Sequence, residues 1–494
     1  MNQNKILIQP AESEDKNSKR IAKNFFFNAI YQFFLIALPL VLTPYVSRVL
    51  QPSGVGHYSY SSSLITYFTL FAAFGFNVFG QREIAKKQND KKLQSIVFFE
   101  IVFSRLLFVF FALTLHISLF FTGVYGNYSS TMLVLSVNVI SVAFDISFLF
   151  QGNEQFGKLT LRNVAIKLLG LVAIFVFVKS HNDLFIYTLI SVLTTLISNL
   201  YLWFLLPRII QRVSIHELKI WETIKKSFLL FLPTIVISIY TVLDKTMIGI
   251  ILKNDDEVGF YEQAEKLVKM VLVILTCLGT VMIPRNSAEF EQKNIEKVKK
   301  NIYFAIQFVW LLGTPLMFGI IAISENMNLW FFGPGYQPVV LMMMLLSPLV
   351  MAIGLNNVLG IQYLIPSGKE KIFTLSTIVG AATNLILNIV LLIAFGTIGA
   401  VIASVISESV IFIFQLVYLR KVFSVSRILL CGWKNIVSGL VMFIVVYFVG
   451  KTLDSSLLNT LKLVLIGVEV YSAMILALRD KMALRIINTL LRRK

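Results

Sequence analysis

A few charged residues interrupt long runs of Ile, Val, Leu and Phe, and these are the places where chemistry is possible. A charge inside a bilayer costs about 2.5 kcal/mol or more on insertion scales, so it normally faces a water-filled cavity or a partner. The densest group lies in "LDKTMIGIILKNDDEVGFYEQAEKLVKM", residues 243–270. Steps of three and four residues line up Thr234, Ser238, Thr241 and Lys245 as one helical stripe. That stripe reads as the wall of a wet cavity ending in a cation; the alternative is a lysine that snorkels to the headgroups. Asp244 points about 100° off the stripe. It is either half of an ion pair or the seat of a coupling proton or sodium ion. Glu262 and Glu265 each precede a lysine, Lys266 and Lys269, by four residues. This is the favourable order for helical pairs, worth about 0.2–0.5 kcal/mol each. The two lysines would lie about two turns into the membrane, deep enough to need a hydrated cavity. Lys245, Lys266 and Lys269 are therefore the candidate cavity cations, whereas Asp255, Asp256 and Glu257 read as an external turn.

Other charges are more isolated. Arg105, near the middle of run 94–121, and Asp145, in the inner third of run 129–150, are opposite in sign and read first as a structural ion pair. Asp145 is also a candidate for ion coupling. Glu408 shares a face with Ala400, Ser404 and Gln415, and is either a proton site or a helix–helix hydrogen bond. Asn384 and Asn388, four apart, are expected to join helices. No catalytic residue set or metal-ligand cluster stands out, and no phosphate-binding loop for ATP is present. No enzyme is expected, nor any cofactor beyond a coupling H+ or Na+. Cys277 and Cys431 lie far apart in apolar runs, which argues against a disulfide framework or a cysteine metal site.

The elements that must position these residues follow from composition. The chain has 494 residues, 57% hydrophobic and 14% charged, with a mean hydropathy of +0.78. Soluble domains are far more charged. The expected fold class is an all-α polytopic membrane protein. A bilayer core needs about 20 apolar residues per helix. About 14 such runs are found, near 25–46, 59–80, 94–121, 129–150, 160–179, 184–206, 226–252, 260–283, 299–323, 337–362, 372–395, 398–419, 432–450 and 460–478. The run from Phe25 reads as a retained helix, not a signal peptide. The formal charge of +18 reflects basic loops on one face. Roughly 34 of the 44 Lys and Arg fall on the side that carries both ends of the chain, which makes that side cytoplasmic. No nucleic-acid role is expected, and no loop is long enough to hide a soluble domain.

An internal repeat organises the runs. "VGHYSYSSSLITYFTLFAAFGFNVFGQRE" from Val55 matches "VGFYEQAEKLVKMVLVILTCLGTVMIPRN" from Val258, superposing Gly56 on Gly259, Tyr58 on Tyr261, Leu64 on Leu267 and Arg82 on Arg285. The expected division is a cytoplasmic segment 1–24, a six-helix bundle 25–213, a second bundle 214–427, and two further helices with a basic tail in 428–494. An even number of helices separates the copies, so a pseudo-two-fold axis along the membrane normal would relate the bundles, with a substrate path between them. Ser59, Ser62, Ser63 and Thr66 stand where the second copy has Glu262, Glu265, Lys266 and Lys269, so the scaffold does not demand those charges. Kinks are expected at Pro39, Pro44, Pro233, Pro315 and Pro348.

Four segments, "TPYVSRVLQPSGVGHYSYSSS", "FGFNVFGQREIAK", "DISFLFQGNEQFGKLTLRN" and "LPTIVISIYTVLDKTMIG…VGFYEQAEKLVK", resemble the Wzx-type flippases among the polysaccharide exporters of the multidrug/oligosaccharidyl-lipid/polysaccharide (MOP) superfamily. The resemblance spans nearly the whole chain. It implies two bundles around a cationic central cavity in the bacterial cytoplasmic membrane. The implied cargo is an undecaprenyl-pyrophosphate-linked oligosaccharide, flipped from the inner to the outer leaflet by alternating access and an ion gradient. Polysaccharide polymerase machinery is an implied partner. Arg48, after "TPYVS", is then either a headgroup anchor or a pyrophosphate contact at the exit. The alternative function is a cation or drug antiporter of the same superfamily, for which carboxylates should dominate the cavity. A membrane polymerase or glycosyltransferase fits less well, because the loops are short.

Overall fold

The structure is a computed structural model. It describes the backbone over residues 11–485 and the side chains from Phe34 onward, except at positions 35, 36, 208, 229, 230, 232–234, 237, 239, 280 and 281. The side chains of Pro233 and the candidate site residue Thr234 therefore lie outside the described residues, as does the tail "LRRK".

Among the described residues the chain forms α1 (Ala11–Ala73), α2 (Phe76–Lys86), α3 (Lys91–Phe121), α4 (Ser129–Ala143), α5 (Ser147–Gly152), α6 (Phe156–Phe177), α7 (Leu184–Leu205), α8 (Ile220–Leu252) and α9 (Asp255–Glu291). It continues through α10 (Ile295–Phe332), α11 (Gln337–Leu346), α12 (Leu349–Asn356), α13 (Glu370–Phe395), α14 (Thr397–Leu419), α15 (Val425–Leu430), α16 (Trp433–Gly450) and α17 (Leu457–Ala477), with no strand. Among the described residues, twelve segments are long and apolar enough to cross a membrane. Each matches one of the expected runs. The two other expected runs, 25–46 and 226–252, fall on α1 and α8, which are helical throughout those ranges. Large apolar side chains such as Phe121, Phe204 and Ile393 stand more than 70% exposed, as a lipid-facing surface requires. The chain is a multi-pass, all-α membrane protein.

Local chemistry sets the breaks. Residue Gln51 precedes Pro52, whose ring disfavours a helical conformation there. Gln51 takes φ 60°, ψ 175° and bends α1 at that point. The backbone of α1 keeps helical φ/ψ at Pro39 and Pro44. Pro348 does act as expected: it separates α11 from α12, and a π-helical segment, Asn357–Leu364, follows. Asp90 caps α3 by accepting from Leu93 N at 2.9 Å, and Asn254 caps α9 by accepting from Asp256 N at 2.9 Å.

Two compact units are present. Unit 1 comprises residues 1–40, 65–179 and 185–234; unit 2 comprises 41–64, 180–184 and 235–494. The core of unit 1 is aromatic-rich, with Phe76, Phe98, Phe148 and Phe150 fully buried. That of unit 2 gathers residues of α8 to α14, including Ile248, Val268, Phe332, Leu392 and Val401.

Candidate functional site

Unit 2 brings most of the expected site residues together, with their charges distributed differently from the sequence expectation. The helical turn after Pro52 and the start of α9 meet through their repeat-equivalent glycines. A Cβ on Gly56 would lie 2.8 Å from Gly259 N, and one on Gly259 would lie 3.2 Å from Gly56 N. Only glycine allows that approach. One turn further, Ser59 Oγ donates to Glu262 at 2.9 Å, and these two are also repeat equivalents. Equivalent residues touching each other is the mark of a two-fold axis between them. Thr246 Oγ1 to Ser63 Oγ at 2.9 Å and Gln263 Nε2 to Ser47 Oγ at 3.0 Å extend the seam.

Lys245 belongs to this seam. Its Nζ lies 2.8 Å from Glu262 and 3.5 Å from Glu265, and Glu265 also holds Lys269 at 2.7 Å. The expected lysine-bearing wall is thus a ladder of alternating charge, largely neutral. The i,i+4 pairing expected for Glu265 and Lys269 is present; Glu262 turns to Lys245 instead of Lys266. Lys266 is half-buried and has no ion-pair or hydrogen-bond partner among the described residues. Arg48 donates to the carbonyl of Trp330 in the last turn of α10, an anchoring contact.

Beside the ladder is a cavity of 270 Å³. Its charged lining is Asp244, Glu265, Glu408 and Lys269, three carboxylates to one lysine. Thr241 reaches it; Ser238, Lys245 and Lys266 do not line it. Asp244 is buried and accepts four hydrogen bonds. Asn384 Nδ2 and Asn388 Nδ2 reach Oδ1 at 3.0 and 2.6 Å; Tyr261 Oη and Ser404 Oγ reach Oδ2 at 2.5 and 2.6 Å. The asparagines do join helices, but through Asp244. Asn388 Oδ1 is buried with no hydrogen-bond partner. Glu408 accepts from Tyr240 Oη at 2.6 Å and Asn356 Nδ2 at 2.7 Å. Among the described residues no cluster of three or more His, Cys, Asp or Glu could hold a metal ion.

Sequence reasoning missed this four-donor shell. Part of its signal was visible: the Asn384/Asn388 spacing and Ser404 on the face of Glu408. Tyr261 gave no signal beyond its place in the repeat.

In unit 1, Arg105 does not meet the Asp145 carboxylate directly. It donates to the Asp145 carbonyl, at the break between α4 and α5, and to Asn77 Oδ1 at 2.7 Å. Asn77 Nδ2 in turn donates to Asp145 Oδ2 at 2.7 Å, and Ser147 N to Oδ1 at 3.0 Å. The expected pair is bridged by an asparagine missing from the sequence-based set. The guanidinium also lies over Phe148, 5.4 Å from the ring centroid.

The polysaccharide biosynthesis protein family model matches residues 21–290. A "Putative O-antigen transporter" of Escherichia coli (strain K12) is 24% identical over 84% of this chain and 99% of its own length. A protein of the same name in Shigella dysenteriae is 24% identical over 76% of this chain and 94% of its own. Among solved structures, the lipid II flippase MurJ in an inward closed conformation superposes with a TM-score of 0.76 at 16% identity, over 93% of this chain and all of that one. An inward-facing multidrug resistance MATE family transporter of the MOP superfamily gives 0.62 at 14% identity, over 80% and 95% of the two chains. At such identities the structural likeness is one of fold.

Proposed function

The chain belongs to the polysaccharide biosynthesis protein family, and from that premise we propose that it flips undecaprenyl-pyrophosphate-linked oligosaccharide units from the inner to the outer leaflet for surface polysaccharide synthesis. The observation that carries this reading is the family match together with a nearly full-length relative named as an O-antigen transporter. The setting is the bacterial cytoplasmic membrane, with both termini on the cytoplasmic side and polymerase machinery as a partner. Transport proceeds by alternating access of the two bundles, 25–213 and 214–427, and two further helices lie in 428–494. Sugars and pyrophosphate cannot cross hydrocarbon unaided, because stripping them of water costs too much. Lys266, which has no ion-pair or hydrogen-bond partner among the described residues, is the residue we assign to the pyrophosphate.

Asp244 is the coupling site. Its shell of side-chain oxygens and amides, with the unused Asn388 oxygen, suits a sodium ion or a proton. A cation there changes the neutral seam through sequence neighbours. Asp244 is followed by Lys245, and Tyr261 by Glu262, so any shift in the shell pulls on the ladder that binds Ser59. Glu408 is a second proton candidate on the same cavity; Asp145, bound within its own helix break, is a weaker one. One observation favours a second reading. Three carboxylates to one lysine around the cavity is the pattern expected of a cation antiporter.

The test is reconstitution of the full chain in vesicles with a fluorescent polyprenyl-pyrophosphate oligosaccharide in one leaflet. Gradient-dependent flipping, lost in Asp244→Asn, is expected. Extrusion of a cationic dye without any flipping of the lipid would overturn the flippase reading in favour of the antiporter.

A further inference from the structure

Two adjoining hollows at one end of unit 2 take no part in the site described above. The larger, 1070 Å³, is lined by the last turns of α9, the start of α10, the turn between α14 and α15, and Arg485. Six lining residues are basic: Arg285, Lys297, Lys299, Lys300, Arg427 and Arg485. One, Glu296, is acidic. The smaller, 320 Å³, shares Gln307 and Arg427 with it and adds Trp433, Lys434 and Lys481, with Asp480 as its acid. Both acids are already engaged. Glu296 holds Lys299 at 3.0 Å, and Asp480 Oδ1 accepts the N–H groups of Met482 and Ala483 at 2.9 and 3.0 Å. Lys297 pairs with Glu289, and Lys434 donates to the Arg479 carbonyl at 3.0 Å. Arg285, Lys300 and Lys481 have no ion-pair or hydrogen-bond partner among the described residues.

The hollows meet at Arg427. Its guanidinium carbon lies over the Tyr303 ring, 4.2 Å from the centroid, a contact that positions the group before any ligand arrives. Beside the junction, Leu429, Leu430 and Trp433 are 43%, 65% and 50% exposed, on a segment long and apolar enough to cross the membrane. A strongly cationic double hollow therefore opens next to a lipid-facing surface. A soluble anion would have no use for that apolar rim, whereas a lipid can leave its phosphates in the hollows and lay its chains along α15 and α16.

We propose that this pair of hollows binds the headgroup of an anionic membrane phospholipid carrying two phosphates, one phosphate in each hollow with Arg427 between them. Charge-assisted, bidentate contact with phosphate is what a fixed guanidinium provides. Removing a basic residue should weaken binding roughly fivefold each.

The test is native mass spectrometry of the delipidated full chain titrated with cardiolipin, phosphatidylglycerol and phosphatidylethanolamine. Cardiolipin should be retained preferentially. The triple variant Arg285→Gln/Lys300→Gln/Lys481→Gln should lose at least tenfold of that retention, while Arg82→Gln/Lys86→Gln/Lys91→Gln, which removes as many charges from unit 1, should keep it. In the unaltered protein, cardiolipin should also shield Lys300 and Lys481 from an amine-acylating reagent, a readout that needs no variant to fold. Equal retention of phosphatidylethanolamine, equal loss in both triple variants, or unshielded lysines would overturn the proposal. So would ready displacement by inorganic pyrophosphate, which would assign the hollows to a soluble anion, or by a polyprenyl pyrophosphate, which would assign them to the cargo.

Discussion

Arg105 in unit 1 and Asp244 in unit 2 are both buried charges inside membrane-spanning helices, and the chain treats them in opposite ways. Arg105 donates to a backbone carbonyl at a helix break and to Asn77, itself tied to Asp145. A backbone carbonyl cannot turn away, so this arrangement has one state. Among the described residues, Asp244 is met by side chains alone, from α9, α13 and α14, and it borders a cavity. Hydroxyls rotate and amides turn, so that shell can rearrange around a different charge. A charge held by main chain serves architecture; one held by side chains at a cavity can serve exchange.

The largest effect should come from the architectural charge. Arg105→Met leaves the Asp145 carbonyl and Asn77 Oδ1 without their donor in a buried setting, and should cost about 3–5 kcal/mol of stability. Thermal unfolding in detergent would register this; an unchanged midpoint would break the contrast by making Arg105 dispensable to the fold. Asp244→Asn should do the reverse. The Tyr261 and Ser404 hydroxyls can turn to accept from the new amide, so the protein should accumulate normally. Gradient-driven transport should fall about a hundredfold, near the upper end of coupling energies. Unchanged transport would remove Asp244 from the mechanism.

Smaller changes sharpen the picture within unit 2. Lys266→Ala should reduce lipid flipping about tenfold, the loss of one charge-assisted contact, without altering stability. Lys245→Ala, by contrast, should lower stability, because Glu262 and Glu265 lose their shared cation. Identical behaviour of the two variants would erase the distinction between a ladder lysine and a free one. The smallest effect is expected from Thr246→Val, which removes the bond to Ser63 and should cost about 0.6 kcal/mol, an ordinary value for a hydrogen bond between membrane helices. Unfolding of the purified variant would measure it.

Much of this was legible beforehand, and the particular residues show why. Runs of apolar residues announced the helices, since each helix satisfies its own backbone in lipid and needs only length and composition to be recognised. The repeat put Gly56 opposite Gly259 and Ser59 opposite Glu262 by alignment alone, and these pairs do meet. The cationic wall was misjudged because charge was counted along one helix. On α9 the glutamates looked like local partners of Lys266 and Lys269, yet Glu262 reaches Lys245, seventeen residues away on α8.

By itself, the sequence determined the fold class, the membrane-spanning segments, the repeat and which residues carry charge where charge is costly. These depend on local composition and on periodicities of a few residues. Tertiary structure alone decided which charges cancel and which stay open. Asp244 finds Asn384 at a separation of 140 residues and Ser404 at 160, and no local pattern encodes such a convergence. The dielectric penalty for a buried charge says that it must find a partner; only packing determines which one.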